Sequence, residues 1–163
     1  MTAAGTCGLG TARLSSPLGE LQLSATAQGL AALRFCAHEP ELPQHAAGPD
    51  VLRHLDQARQ ELDAYFAGRL RAFSLALDVR GTPFQLRVWQ GLCAIPYGTT
   101  WSYAMLARHI GRPGACRAVG NANGKNPLPI IIPCHRVVRT GGELGGYSAG
   151  LDIKRFLLAL ERI

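Results

Sequence analysis

Residues 102–123 read SYAMLARHIGRPGACRAVGNAN, and this stretch decides the fold. Ser102 is suited to cap a helix whose buried stripe is Met105, Leu106 and Ile110, closed by Gly111. Arg112-Pro113-Gly114 makes a short turn. A further helix follows from about Ala115 to Asn123. Two short helices joined by a tight glycine-containing turn form the helix-turn-helix pattern, in which the second is the recognition element. Arg117 then falls in its first turn.

The flanks extend this reading. Upstream, Thr82-Pro83 joins a capping residue to a proline at the first helical position. Phe84, Val88, Trp89 and Leu92 form one apolar face, and Ile95-Pro96-Tyr97-Gly98 breaks the helix. Downstream, Asn126-Pro127-Leu128-Pro129 reads as extended, because a residue before proline is driven out of the helical region. Ile130 to Ile132 reads as a buried strand ended by Pro133. Val137 and Val138 lead into a glycine-rich hairpin. Asp152 can cap a last helix carrying Ile153, Phe156, Leu157 and Leu160, with Glu161 at its end. The first half reads as strands and a helix: a turn at Ser16-Pro17-Leu18-Gly19, alternating Leu21 and Leu23, and an apolar run from Leu30 to Phe35. After a loop from His38 to Pro49 comes a helix capped by Asp50, with Leu52, Leu55, Ala58, Leu62 and Tyr65 or Phe66 at helical spacing and Gly68 at its end. Phe73, Leu75 and Leu77 then alternate as a strand would. The expected architecture is α+β in two domains, 1–78 and 79–163, joined by a crossing segment at 78–82.

Composition narrows the class. The chain has 163 residues, 47% of them hydrophobic, enough for a packed core and against disorder. Its longest purely aliphatic stretch, Ile130 to Ile132, is far too short for a membrane helix. Met1 to Gly19 lacks a basic start followed by an apolar block, so no secretory signal is expected. Cys7, Cys36, Cys93, Cys116 and Cys134 are irregularly spaced, which fits reduced thiols in a cytoplasm. Residues 1–78 carry six arginines and eight acids, a balance of −2, while residues 79–163 carry eleven Lys or Arg against three acids, a balance of +8. The second half is a candidate surface for a polyanion, with solubility as the plainer alternative.

Cys134 carries the chemistry. It follows an apolar run and a proline, and His135 and Arg136 come next. A free thiol near pKa ~8.5 is only about 3% thiolate at pH 7, and cationic neighbours raise that fraction. The other four cysteines read as small buried hydrophobes. Neighbours in an extended chain face opposite ways, so His135 reaches the sulfur most simply through a water. Such a histidine needs an anion to orient it. Glu161 is the best candidate, although a glutamate at a helix end is more often solvated.

These residues resemble the O6-alkylguanine-DNA alkyltransferase (methylated-DNA–protein-cysteine methyltransferase) family, bacterial type. The resemblance rests on Ile130 to Val138 (IIIPCHRVV), Arg117 to Gly120 (RAVG), Asn126-Pro127, Gly146 to Gly150 (GYSAG) and Leu157 to Glu161 (LLALE). It covers roughly 82–161, and more weakly Ser16 to Gly19 and Tyr65 to Gly68. It implies a small ribonuclease-H-like sheet with a helix, then a winged-helix-like helix-turn-helix domain holding the thiol. It implies direct-reversal DNA repair: after base flipping, one irreversible transfer of the alkyl group from O6-alkylguanine, and also from O4-alkylthymine, to Cys134. His135, through a water, and Glu161 would be the proton relay, and Asn126 the hinge between recognition helix and active-site strand. Arg117 would fill the place of the flipped base and Tyr103 would press on its phosphate, with Ala118 and Gly120 also at the DNA. The helix would dock in the minor groove, which suits repair in any sequence context. Ser148 would meet O6, Tyr103 the ring nitrogen, and the Cys134 and Val137 carbonyls the exocyclic amine. Tyr147 and Pro129 would wall the pocket, Pro129 favouring bulkier alkyl groups.

The implied partner is double-stranded DNA carrying O6-alkylguanine, met by a cytoplasmic monomer, with cooperative binding left open and no membrane or cofactor. Some relatives bind zinc in the first half. Here Cys7 aligns with one ligand, but Thr26 and Ala31 stand where two others would be, and Cys36-Ala37-His38 substitutes poorly, so no metal is expected. Two other classes compete. A lesion-binding protein without transfer would lack the nucleophile, and a thiol hydrolase on Cys134 and His135 would need an oxyanion hole.

Overall fold

The structure, a computed structural model, describes residues 8–36 and 47–162. Cys7, His38 and the side chain of Cys36 lie outside the described part. The chain divides into two compact units, one ending at Val79 and the other starting at Arg80.

In the first unit, β1 (Gly10–Ser16), β2 (Gly19–Thr26) and β3 (Gly29–Cys36) form an antiparallel sheet in that order. Ser16 pairs with Gly19 across Pro17-Leu18, and Gly19 supplies the left-handed φ of 94° that so short a link requires. Leu14, Leu21, Leu23, Leu30 and Leu33 are buried with Val51, Leu55, Ala58, Leu62 and Tyr65 of α1 (Pro49–Phe66). Asp50 does not cap α1. The cap is Gly48, Pro49 takes the first helical position, and Asp50 lies in the first turn, 2.9 Å from Arg53. Proline fixes a helical φ and has no N–H to satisfy, so the helix begins at it. Phe73 to Leu77 is not a strand. It makes a single bridge, Leu30 to Leu77, with bonds from Leu30 N to Ala76 O and from Asp78 N to Leu30 O, each 2.8 Å, while Ser74 N donates to the Glu61 carboxylate instead of to a strand.

The second unit is mostly helical. α2 (Pro83–Cys93) starts with a full capping box between Thr82 and Gln85. β4 (Trp101–Ser102) leads into α3 (Tyr103–His109), which Ser102 caps through its bond from Met105 N. α4 (Cys116–Gly124) completes the helix-turn-helix and packs on α2 and α3. The indole Nε1 of Trp89 donates to the Ala122 carbonyl at 2.9 Å and fixes that packing. A 3₁₀ turn at Cys134–Arg136, β5 (Val137–Val138) and α5 (Leu151–Leu160) follow. β4 and β5 pair in parallel.

Several expectations fail here for physical reasons. Met105 is 41% exposed, and Ala107 joins Leu106 and Ile110 in the buried stripe. Ile130 to Ile132 is buried but not extended. Asn126 donates from Nδ2 to Ile132 O at 2.7 Å, accepts from Leu128 N, and so closes a tight loop in which Ile132 N bonds Leu128 O. Prolines at 127, 129 and 133 remove the donors a strand would need. Ile130 accordingly sits at φ 75°, left-handed despite its branched side chain. The glycine-rich segment forms one turn, Arg139 N to Glu143 O, rather than a paired hairpin. Asp152 lies inside α5 on Arg155, and Gly150 at φ 102° is the cap. Cys93 is exposed and Cys116 half-buried, so neither is the core residue expected, because each sits at a helix end.

Candidate active site around Cys134

Pro133 aims the thiol. At φ −80° and ψ 65° it forms an inverse γ-turn in which Cys134 N bonds Ile132 O at 2.8 Å. Cys134 then opens the 3₁₀ turn, is buried, and faces a cavity of about 220 Å³. Tyr103, Gly120, Asn123, Gly124, Gly146, Tyr147 and Ser148 line the rest of it. Pro129 and Val137 are not among the lining residues. Arg117 and Ala118 stand exposed on the first turns of α4. A larger open depression of about 600 Å³ in the first unit offers neither thiol nor imidazole.

The expected anion is in place. His135 Nε2 lies 2.8 Å from Glu161 Oε1, both side chains buried. His135 Nδ1, also buried, meets no protein partner. Sequence reasoning missed the second hand on Glu161. Arg136 donates from Nε to Oε2 at 2.8 Å and from Nη2 to Oε1 at 2.9 Å, while its Nη1 holds the Ile95 carbonyl at 2.7 Å. Burial alone would raise the Glu161 carboxyl, but the bonds and charges of His135 and Arg136 hold it at about 2. Burial drives the His135 imidazole below 6.5, with Glu161 opposing. The histidine is therefore a neutral ring with a fixed Nε2 and an available Nδ1.

The thiol is not activated as expected. Burial is the largest influence and pushes it up, against hydrogen bonding from Asn126 and Tyr147 and the charge of Lys154. Arg136 spends its guanidinium on Glu161 and Ile95 instead. The cation that does bear on the sulfur is Lys154, which the sequence reading passed over. Its buried Nζ donates to Val137 O at 2.7 Å, to Leu144 O, and to Gly146 O at 3.3 Å. Burial brings it down to about 8. Lys154 therefore gathers the segment that supplies Gly146, Tyr147 and Ser148 to the cavity wall. The available signal was its spacing, three and four residues before Leu157 and Leu158 on one face of α5.

Asn126 stands just past α4, where its backbone N donates to Asn123 O at 3.3 Å while its Nδ2 donates to Ile132 O, two residues before Cys134. Tyr103 opens α3 beside the cavity, and burial, the charge of Arg139 and that of Cys134 all act on its hydroxyl, burial raising it most. Gly120 lies under that ring, and a Cβ there would make only an ordinary contact, 3.7 Å from Tyr103 Cε1. Among the described residues, no cluster of His, Cys, Asp and Glu could hold a metal ion, and no helix is long and apolar enough to cross a membrane.

Fold and site together define a helix-turn-helix protein built around one buried cysteine with a histidine–glutamate pair behind it. Residues 83–163 match the DNA-binding domain of 6-O-methylguanine DNA methyltransferase, and residues 11–79 match its ribonuclease-like domain. The chain belongs to the 6-O-methylguanine DNA methyltransferase family. It is 46% identical to a methylated-DNA–protein-cysteine methyltransferase of Methanosarcina barkeri, over 91% of this chain and 94% of the relative. It is 48% identical to one of Mycolicibacterium paratuberculosis, over 91% and 90%. A crystal structure of Mycobacterium tuberculosis OGT in complex with DNA superposes with a TM-score of 0.81 at 46% identity, covering 92% of this chain and 91% of that one.

Proposed function

We infer that the protein repairs DNA by moving an alkyl group from the O6 of a guanine to Cys134, once per molecule. The observation that carries this is the buried thiol facing a small cavity, with His135 fixed behind it by Glu161. A buried sulfur cannot reach an atom inside a duplex, so the base must leave the stack and enter the cavity, at a cost of a few kcal/mol. Arg117, exposed on α4, fills the gap and offsets part of that cost. Tyr103 presses on the target phosphate, and Ala118 and Gly120 lie along the minor groove.

The chemistry then follows. A water passes the thiol proton to His135 Nδ1, the atom without a protein partner. The Sγ–C bond forms as the C–O6 bond breaks, and the electron pair goes to the purine, which takes up a proton as intact guanine. Ser148 receives the charge developing on O6, and Pro129 and Tyr147 bound the alkyl group. The product is a thioether, which water does not cleave, so one protein serves one lesion. O4-alkylthymine is a second substrate, and the protein acts as a cytoplasmic monomer.

Mass spectrometry after incubation with an O6-methylguanine duplex tests the reading. One added methyl on a peptide containing Cys134 is expected, absent in Cys134→Ala. Unmodified protein after stoichiometric exposure sinks it.

A further inference from the structure

Asn123 is out of character for its place. It lies on the buried face of α4 with Val119 and Ala122, where helix patterning calls for an apolar side chain. It is only 6% exposed, and its Oδ1 is buried without a hydrogen-bond partner. A buried acceptor left unpaired weakens a fold, so packing does not explain it. The same residue lines the cavity beside Cys134. The bond from Trp89 to Ala122 O anchors the adjoining residue, so the amide is held at the cavity by a fixed helix.

We propose that Asn123 is a specificity-determining residue, whose Oδ1 accepts a hydrogen bond from the exocyclic amine of the extruded guanine. This rests on the function proposed above. Alkylation at O6 removes the proton from ring N1, and N9 is tied to the sugar, so the amine is the only conventional donor the base retains. The two backbone carbonyls expected to take it each already accept one bond, Cys134 O from Val137 N and Val137 O from Lys154 Nζ, and each keeps a second lone pair. Asn123 Oδ1 makes no bond of its own, so an amine hydrogen shared with it is what satisfies that buried acceptor. A lesion without that amine, such as an O4-alkylated thymine, leaves the acceptor orphaned and reacts more slowly.

The test compares two duplexes of one sequence, carrying O6-methylguanine or O6-methylhypoxanthine, which differ only by the amine. Single-turnover transfer rates are measured for the wild type, Asn123→Leu and Asn123→Ala. The ratio of the two rates within one protein does not depend on how much of it is folded. The wild type should prefer the amine-bearing lesion, and each variant should lose about tenfold of that preference. A wild type with no preference, or variants that keep it in full, overturns the role of Asn123. Absence of methyl transfer from either duplex overturns instead the proposed function on which it stands.

Discussion

In the proposed reaction, the histidine behind the thiol takes its proton. His135 is held below its ordinary value by burial and the thiol above its own. Between those limits the pair is a neutral imidazole and a protonated thiol, so the proposed transfer needs no prior ionisation. The single-turnover rate should stay nearly flat from about pH 6.5 to 8 and fall on the acid side as His135 takes up a proton. In His135→Phe the rate should be far lower and rise close to tenfold per pH unit, because only free thiolate then reacts. A wild-type rate that itself climbs tenfold per unit across that range would remove the relay. Cys134 and the His135–Glu161 pair were legible in the sequence because their residue types are rare in that setting. Arg136 was legible only as a nearby charge. That its guanidinium clamps Glu161 depends on the Ile95 carbonyl 41 residues upstream, and no local pattern encodes it.

At the level of helices, α5 shows what pattern reading loses. The apolar pattern selects Ile153, Phe156, Leu157 and Leu160, but the buried residues are Lys154, Leu157, Leu158 and Glu161, while Phe156 is 36% exposed. The true stripe has the proper spacing of three, four and seven. A charge stands at each end of it, and charges are rarely buried unless paired, so an apolar pattern passes over it. Both are satisfied, Lys154 by carbonyls and Glu161 by His135 and Arg136, and both serve the site. The loop before the cysteine failed differently: prolines and three isoleucines suggested extension, while the Asn126 amide bonds both arms and winds it up. The helix-turn-helix pair was legible because caps and a glycine-containing turn are local devices. Its exposed Arg117 belongs to this scale. Arg117→Ala should slow repair of a duplex lesion at least tenfold while leaving reaction with free O6-benzylguanine within about twofold, since a free base needs no extrusion. Equal losses on both substrates would contradict the flipping role.

For the whole chain, the charge partition and the acid response follow from the same few residues. The positive half holds Arg108, Arg112 and Arg117 exposed along the helix pair, where a polyanion would meet them. Its buried Glu161 sits at about 2 against an ordinary 4.5. A carboxylate held low stabilises the fold in full above 4.5 and loses that contribution as pH falls toward 2. His135, held below 6.5, acts in the same sense, since the unfolded chain takes up its proton first. The urea midpoint should therefore decline from about pH 6.5 downward, and Glu161→Gln should be less stable at pH 7 with a shallower decline below 4.5. A wild-type midpoint unchanged down to pH 3 would contradict this. The ammonium of Lys154 has a consequence of another kind. It moors one wall of the cavity from beneath, so the exposed tip at Gly141-Gly142 holds only its own turn. That tip, a self-contained turn closed by Gly142 N to Arg139 O at 2.9 Å, is a natural splice point: a short flexible peptide grafted there should leave the alkyl-transfer rate within about twofold, making the chain a carrier for inserted cargo.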